Sequence, residues 1–443
     1  MSTAAMPEFP AGFRWGVSTS AYQIEGGVDE NGRGASIWDT FAHTPGRIAD
    51  GSTGDVACDH YHRHAEDVAL LAGLGVSAYR FSIAWPRVRP TGDGPVDTRG
   101  LDFYDRLVDD LLAHGVDPVA TLFHWDLPQA LEDAGGWLNR DTAHRFAEYA
   151  DATAARLGDR VKLWITLNEP FIHMSLGHGT GEHAPGRTLL FDAFPVAHHQ
   201  LLAHGLAVAA LRARTASPVA IANNYSPVRP AGDTDADRAA VAAYEALHNR
   251  LFTDPLFGRG YPAELGFDTA VVRAGDLDVI AAPIDVLGVN YYNPTGVRAP
   301  QEDSPLPFEF VPLDGYPRTA FDWPVAPDGL RELLGWLHRT YADDLPPIQV
   351  TESGCAYDDA PDADGRVHDP ERIAYLDGHL RAVGAAMAEG VDVTGYFVWS
   401  LLDNWEWAEG FTKRFGLVHV DFDTQLRTPK SSYAWFRDLI ARP

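Results

Sequence analysis

Short apolar runs alternate along the chain with longer stretches in which apolar residues recur every three or four positions. The runs are Phe13–Ala21, Ala78–Ile83, Pro118–Phe123, Val161–Leu167, Val219–Ala222, Val286–Val289, Ile348–Val350 and Tyr396–Leu401. Each is rich in β-branched or aromatic residues and mostly apolar on both sides, which predicts strands buried on both faces. Between them, Arg99–Leu112 has the clearest helical period. Leu101, Tyr104, Leu107, Val108, Leu111 and Leu112 make one stripe, and Asp102, Asp105, Asp109 and Asp110 take the other faces. Glu66–Leu74, Asp141–Leu157, Asp192–Arg212, Ala236–Phe252, Gly329–Tyr341, Pro370–Glu389 and Ser431–Ile440 read as helices too.

This alternation predicts an α/β chain closed into a (β/α)₈ TIM barrel, with its active site at the C-terminal ends of the strands. A doubly wound open sheet is the competing arrangement. It more often carries a Gly-rich phosphate turn after its first strand, whereas here that strand runs into Ala21-Tyr-Gln-Ile-Glu-Gly26. At roughly 150 residues per domain the length suggests three domains. No linker divides the 443 residues, however, so one domain spanning 1–443 is expected, its core running from about residue 9 to 440. Gln301–Pro327, dense in Pro and aromatics, reads as an irregular surface insertion near the barrel mouth.

Composition narrows the function. Hydrophobic residues make up 45% and charged residues 22%, the balance of a soluble globular chain. The net charge of −27 disfavours nucleic acid and anionic membrane surfaces as partners. Two cysteines, Cys58 and Cys355, are too few for a disulfide scaffold. No leader-like pattern opens the chain, so the expected compartment is the cytoplasm. The sequence leaves the oligomeric state open.

The residues ending the predicted strands form a polar and aromatic set. They include Gln23, Arg80, His124, Asn168, Glu169, Asn290, Tyr292, Glu352 and Trp399, with Glu406 and Trp407 just behind. Glu169 and Glu352 lie far apart in sequence, yet the fourth and seventh strands can aim them at one point. Glycosidic cleavage needs such a pair, one neutral acid and one anion. Indole and phenol faces suit sugar rings, and Asn, Gln, His and Glu suit hydroxyls. On these residues alone a carbohydrate enzyme competes with other barrel hydrolases and isomerases.

Several motifs add a resemblance. Phe13-Arg-Trp-Gly-Val-Ser-Thr-Ser-Ala-Tyr-Gln-Ile-Glu-Gly26 is similar to the N-terminal signature of glycoside hydrolase family 1. Thr166-Leu-Asn-Glu-Pro170 resembles that family's acid/base motif, and Val350-Thr-Glu-Ser-Gly354 its nucleophile motif. Tyr79–Trp85, Phe123–Asp126, Gly288–Tyr292 and Asp403–Gly416 match in the same order. The resemblance implies a retaining β-glycosidase that needs no metal or organic cofactor and takes a small-molecule β-glucoside. It implies Glu169 as acid/base and Glu352 as nucleophile. Gln23, His124, Asn168, Glu406 and Trp407 would meet the hydroxyls of the terminal sugar, and Trp399 would floor it. Arg80 and Tyr292 would contact the nucleophile, with Arg80 lowering its pKa, and Asn290 would support the acid/base.

Members acting on 6-phosphorylated sugars carry a Ser, a Lys and a Tyr where this chain has Glu406, Lys413 and Phe415, so only the Lys matches. A carboxylate at position 406 disfavours a phosphate, which leaves a β-glucosidase as the expected activity. A 6-phospho-β-glycosidase, a β-galactosidase or β-fucosidase, and a non-catalytic sugar-binding barrel are the alternatives. Two departures from the family pattern are Ser353 after the nucleophile and Asn293-Pro294 after Tyr292. Other conspicuous residues have plainer readings. Trp405 is expected to pack, Cys355 to be inert, and His198 with His199 to be satisfied by neighbours. Cys58, His60, His62 and His64 alternate before a helix, where alternation does not share a face, so no metal is expected there.

Overall fold

The computed structural model describes residues 5–267 and 269–442. All eight predicted strands are present: β1 (Arg14–Ser18), β2 (Ala78–Ser82), β3 (Asp117–Phe123), β4 (Leu163–Asn168), β5 (Val219–Asn224), β6 (Val286–Asn290), β7 (Ile348–Ser353) and β8 (Val393–Trp399). Each pairs in parallel with the strands before and after it, and β8 pairs with β1, so the sheet closes into a barrel. Closure leaves no barrel strand with an unpaired edge. A long helix follows each strand: α1 (His60–Leu74), α2 (Thr98–Ala113), α3 (Asp141–Leu157), α4 (Phe194–Arg212), α5 (Asp235–Glu245), α6 (Pro327–Tyr341), α7 (Pro370–Ala388) and α8 (Ser431–Ile440).

The uninterrupted apolar runs follow from this arrangement, because every strand faces helices outside and other strands inside. Ala78, Val119, Leu163, Ile165, Ala220, Ala222, Val286 and Phe397 form a cluster drawn from strands alone, the filling of the barrel interior. Gly16 on β1 makes room for it, since a Cβ there would overlap the Phe397 ring. The larger core lies between the strands and the helix stripes; Leu101, Tyr104, Leu107, Val108 and Leu111 of α2 all face it.

Four local readings are corrected. β1 stops at Ser18, and Ala21–Ile24 is a helical turn. Helix α1 starts at His60, six residues before the apolar period is visible, because its polar first turn is tied down sideways. His60 Nδ1 lies 2.8 Å from Asp67, and Arg427 Nε donates to the same carboxylate over 3.0 Å. Helix α5 ends at Glu245 and continues as a wider π turn over Ala246–Arg250. The segment 301–327 is only partly irregular. Glu309–Val311 is a strand antiparallel to Thr295–Arg298, which pairs in turn with Val228–Pro230, and Phe308 is buried against Tyr244 beneath this small sheet.

A buried ion network ties together the loops that follow β7 and β8. Arg372 pairs with Asp359 and Asp369 and donates to the carbonyls of Cys355, Arg414 and Phe415. Lys430 Nζ bridges Asp359 at 2.6 Å and Asp403 at 2.8 Å. Breaking one partner of such a buried set costs about 3–5 kcal/mol, so these loops are held firmly.

Candidate active site

At the C-terminal rim of the barrel lies a cavity of about 800 Å³. His124, Glu169, Tyr292, Glu352, Trp399, Glu406, Trp407 and Phe415 line it. Arg80, Asn168, Asn290 and Gln23 stand fully buried behind that lining and hold its members in place.

Glu352 sits on β7 beside Asn290 of β6. Arg80 Nη1 donates to its Oε1 over 2.6 Å and the Tyr292 hydroxyl donates to its Oε2 over 2.7 Å. Arg80 also donates from Nε to Thr121, from Nη1 to the Thr351 carbonyl and from Nη2 to Asn168 Oδ1, so its guanidinium is fixed by three strands. Glu169 follows β4, and its Oε1 accepts from Asn290 Nδ2 over 2.8 Å. The Thr351 hydroxyl donates to Asn290 Oδ1 over 2.7 Å, which fixes the orientation of that amide. The two carboxylates therefore share a scaffold of Arg80, Asn168, Asn290 and Thr351.

Their surroundings differ in charge. Burial pushes the carboxyl of Glu169 up, the negative charge of Glu352 adds to this, and it reaches about 8. Burial also raises Glu352 above the ordinary range, although Arg80, Tyr292 and Asn290 pull it back. Arg80 lowers the Glu352 pKa, as the sequence led us to expect, but desolvation outweighs the guanidinium and the net direction is upward. Arg80 and Tyr292 donate to Glu352 and not to Glu169, so within the pair they favour the charge on Glu352 and the proton on Glu169.

The cavity wall is aromatic. The His124 ring stacks on Trp399 at 5.8 Å and on Trp407 at 5.9 Å. Asn168 Oδ1 accepts from Arg80 and Asn290, so its Nδ2 donates to His124 Nε2 over 2.9 Å. That leaves His124 Nδ1 carrying the hydrogen, with no partner in the protein. Burial drives the His124 pKa well down, so the ring is neutral. Gln23 Nε2 donates to Glu406 Oε2 over 3.1 Å and also to Asn404 and Trp405, while its Oε1 accepts from Ser20. Gln23 and Asn168 thus have their amides engaged by protein groups, and any bond to a hydroxyl is shared with those partners. Burial raises Glu406 to about 8. Lys413 is turned elsewhere: its Nζ donates to the Ala320 carbonyl over 3.0 Å and lies 5.0 Å from the Phe321 ring centre.

Trp125, Glu169 and Trp407 all have positive φ, at 76°, 45° and 48°. Non-glycine residues pay for that conformation, and such strain concentrates at functional sites.

Other lining residues were not singled out one by one, although Phe321 and Trp323 fall in the 301–327 segment expected near the barrel mouth. Phe321 and Trp323 stack on each other at 4.4 Å over the cavity mouth. Asn224 ends β5 and His248 lies in the π turn after α5. Asn224 had a legible signal, a polar pair closing an apolar strand; Phe321 and Trp323 come from an insertion without a periodic pattern, and His248 lies in a stretch whose period marked a helix but not a site. Trp405 packs edge-on to Tyr22 and Trp38. His198 bridges Tyr261 and Asp276, and His199 reaches the Trp137 carbonyl. His60, His62 and His64 each pair with a carboxylate. Among the described residues, no group of three or more His, Cys, Asp or Glu could hold a metal ion. Nor is any described helix long and apolar enough to cross a membrane.

Comparison with known proteins agrees with this geometry. The model for glycosyl hydrolase family 1 matches residues 5–443. A thermostable beta-glucosidase B from Thermobispora bispora is 51% identical, over 98% of this chain and 91% of its own. A bifunctional beta-D-glucosidase/beta-D-fucosidase from Bifidobacterium breve is 47% identical, over 98% of both chains. The solved family 1 β-glucosidase from Thermotoga maritima superposes with a TM-score of 0.95 at 44% identity, covering 99% of this chain and 98% of that one.

Proposed function

Because this chain belongs to glycosyl hydrolase family 1, we infer that it is a retaining β-glucosidase, releasing terminal non-reducing β-D-glucosyl residues from short oligosaccharides or aryl and alkyl glucosides. The observation that carries the reading is the carboxyl pair: Glu169 and Glu352 on one scaffold in one aromatic cavity, with Arg80 and Tyr292 bonded to Glu352 alone of the two.

The chemistry follows from that division. Glu352 attacks the anomeric carbon as Glu169 gives its proton to the departing oxygen, and a glycosyl ester forms on Glu352. The ester carries no charge, so the electrostatic support for a high Glu169 pKa disappears with it. Glu169, now a carboxylate, takes a proton from water, which attacks the same carbon and frees Glu352. Two inversions give net retention. His124, Glu406 and Trp407 meet the sugar hydroxyls, Trp399 forms the floor, and Phe321 and Trp323 flank the leaving group.

Engagement of the Lys413 ammonium with the Ala320 carbonyl and the Phe321 ring supports hydroxyl recognition over a 6-phosphate. A fucoside activity is the second reading, favoured by the printed name of the Bifidobacterium relative. Disaccharides such as cellobiose fit as natural substrates. A cytoplasmic location is supported by two free, buried cysteines.

The test is initial rates on 4-nitrophenyl β-D-glucoside, its 6-phosphate and the β-D-fucoside, with Glu352→Ala as control. Faster release from the plain glucoside, abolished in the control, and first-formed β-glucose by NMR are expected. First-formed α-glucose would overturn the mechanism, and preference for the phosphate would overturn the substrate.

A further inference from the structure

The acid in this scheme must present its proton on one particular oxygen. Glu169 Oε1 accepts from Asn290 Nδ2 over 2.8 Å and from Asn224 Nδ2 over 3.5 Å. Two amide donors on Oε1 leave Oε2 as the oxygen that carries the proton. Thr351 fixes the Asn290 amide, but nothing within the strands does so for Asn224. An amide is nearly symmetric in shape, so a flipped Asn224 would aim its oxygen at Oε1 and draw the acidic proton to the wrong side.

A second group prevents the flip. His248 Nε2 lies 2.6 Å from Asn224 Oδ1, and His248 Nδ1 lies 2.8 Å from the Tyr244 hydroxyl. Since Asn224 Nδ2 donates to Glu169, its Oδ1 accepts, so His248 carries its hydrogen on Nε2 and accepts from Tyr244 on Nδ1. Phe171 stacks on the ring at 4.3 Å and Tyr244 packs edge-on to it at 5.4 Å.

We propose that His248, oriented by Tyr244, is a positioning residue for the acid/base: it locks the Asn224 amide nitrogen toward Glu169 and so confines the acidic proton to Oε2. This rests on the reading of Glu169 as acid/base. Burial drives the His248 pKa down to about 3, so the ring stays in the neutral form that the relay requires. Asn290 makes the shorter of the two bonds to Oε1, and Asn224, at 3.5 Å, the longer one that His248 orients.

The experiment uses leaving groups. Release of 2,4-dinitrophenol needs little protonation, whereas release of phenol needs the acid. His248→Phe keeps the stack on Phe171 but cannot donate. Its kcat/KM on phenyl β-D-glucoside is expected to fall by about 10- to 100-fold, part of the contribution of a general acid. Its kcat/KM on 2,4-dinitrophenyl β-D-glucoside is expected to stay near wild type. His248→Gln, whose amide nitrogen can stand where Nε2 does, should recover most of the loss, and Tyr244→Phe should show the same split more weakly. Equal losses on both substrates, or no loss on phenyl glucoside, would overturn the proposal. Glu169→Ala in the same assay separates the two readings. If it shows the split and His248→Phe does not, only the relay fails; if it lacks the split, Glu169 is not the acid and both fail.

Discussion

Replacing Arg80 with methionine tests the statement that one guanidinium keeps Glu352 ionised. Arg80 Nη1 and Glu352 Oε1 are 2.6 Å apart and both side chains are buried. With charge centres about 4 Å apart and an effective dielectric of about 20, the lost attraction is about 4 kcal/mol. At about 1.36 kcal/mol per pKa unit this is a shift of about 3 units, at the upper end for a neighbouring charge. The sign is upward, because removing a cation disfavours the carboxylate. At a given acidic pH more of the variant therefore carries a protonated, inert nucleophile. The assay is kcat/KM against pH on 2,4-dinitrophenyl β-D-glucoside, whose leaving group makes the profile report Glu352 rather than Glu169. The acid limb should move upward by about 2–3 units in Arg80→Met. Arg80→Lys, which keeps the charge but loses the bonds to Thr121 and Asn168, should hold the limb near its wild-type position. Because a broken buried pair also destabilises by about 3–5 kcal/mol, far-UV dichroism must first show the variants folded. An unmoved acid limb in folded Arg80→Met would refute the reasoning.

Four other outcomes are expected. Since Glu169 is held at about 8, kcat/KM on glucosides with basic leaving groups should fall as pH rises through that value. In Glu352→Gln, with the neighbouring charge gone, the Glu169 carboxyl should titrate lower by carbon-13 NMR; an equal or higher value contradicts the coupling. Cys58 and Cys355 are buried and burial raises both thiols, Cys355 to about 12. An aromatic disulfide reagent should therefore leave the folded enzyme unlabelled and active, while rapid labelling with loss of activity would show an accessible thiol. In Gly354→Ala the new Cβ would overlap the Trp399 carbonyl. Lower Tm and kcat should result, and wild-type values would mean that the loops after β7 and β8 have slack.

The barrel was legible because its strands are buried on both faces, which leaves unbroken apolar runs such as Val219–Ala222 in the sequence. Edges were less so. Helix α1 begins with His60, Tyr61 and His62, and its first turn is set by Asp67 and Arg427 contacts that no local period encodes. The small sheet around Glu309–Val311 depends on pairing with Thr295–Arg298, and a three-residue strand is too short to show alternation. Within the site, Glu169 and Glu352 stood out because both end strands inside distinctive motifs. Asn224 ends a strand too, but its role depends on His248, which approaches from a different helix. Such a pairing is visible only once the barrel has brought β5 and the turn after α5 together.

The left-handed backbone at Trp125, Glu169 and Trp407 bears on how heat-resistant this enzyme can become. Each such residue stores about 1–3 kcal/mol, and at Glu169 the desolvated carboxyl adds to it. Stabilisation by glycine replacement at positive φ would single out these very positions. Glu169→Gly should accordingly melt above the wild type by calorimetry while losing turnover, and a lower Tm would show that the neighbours, not the backbone, set the balance. Endurance and turnover therefore compete at these residues, and thermostabilising changes belong on the helices and loops away from the rim.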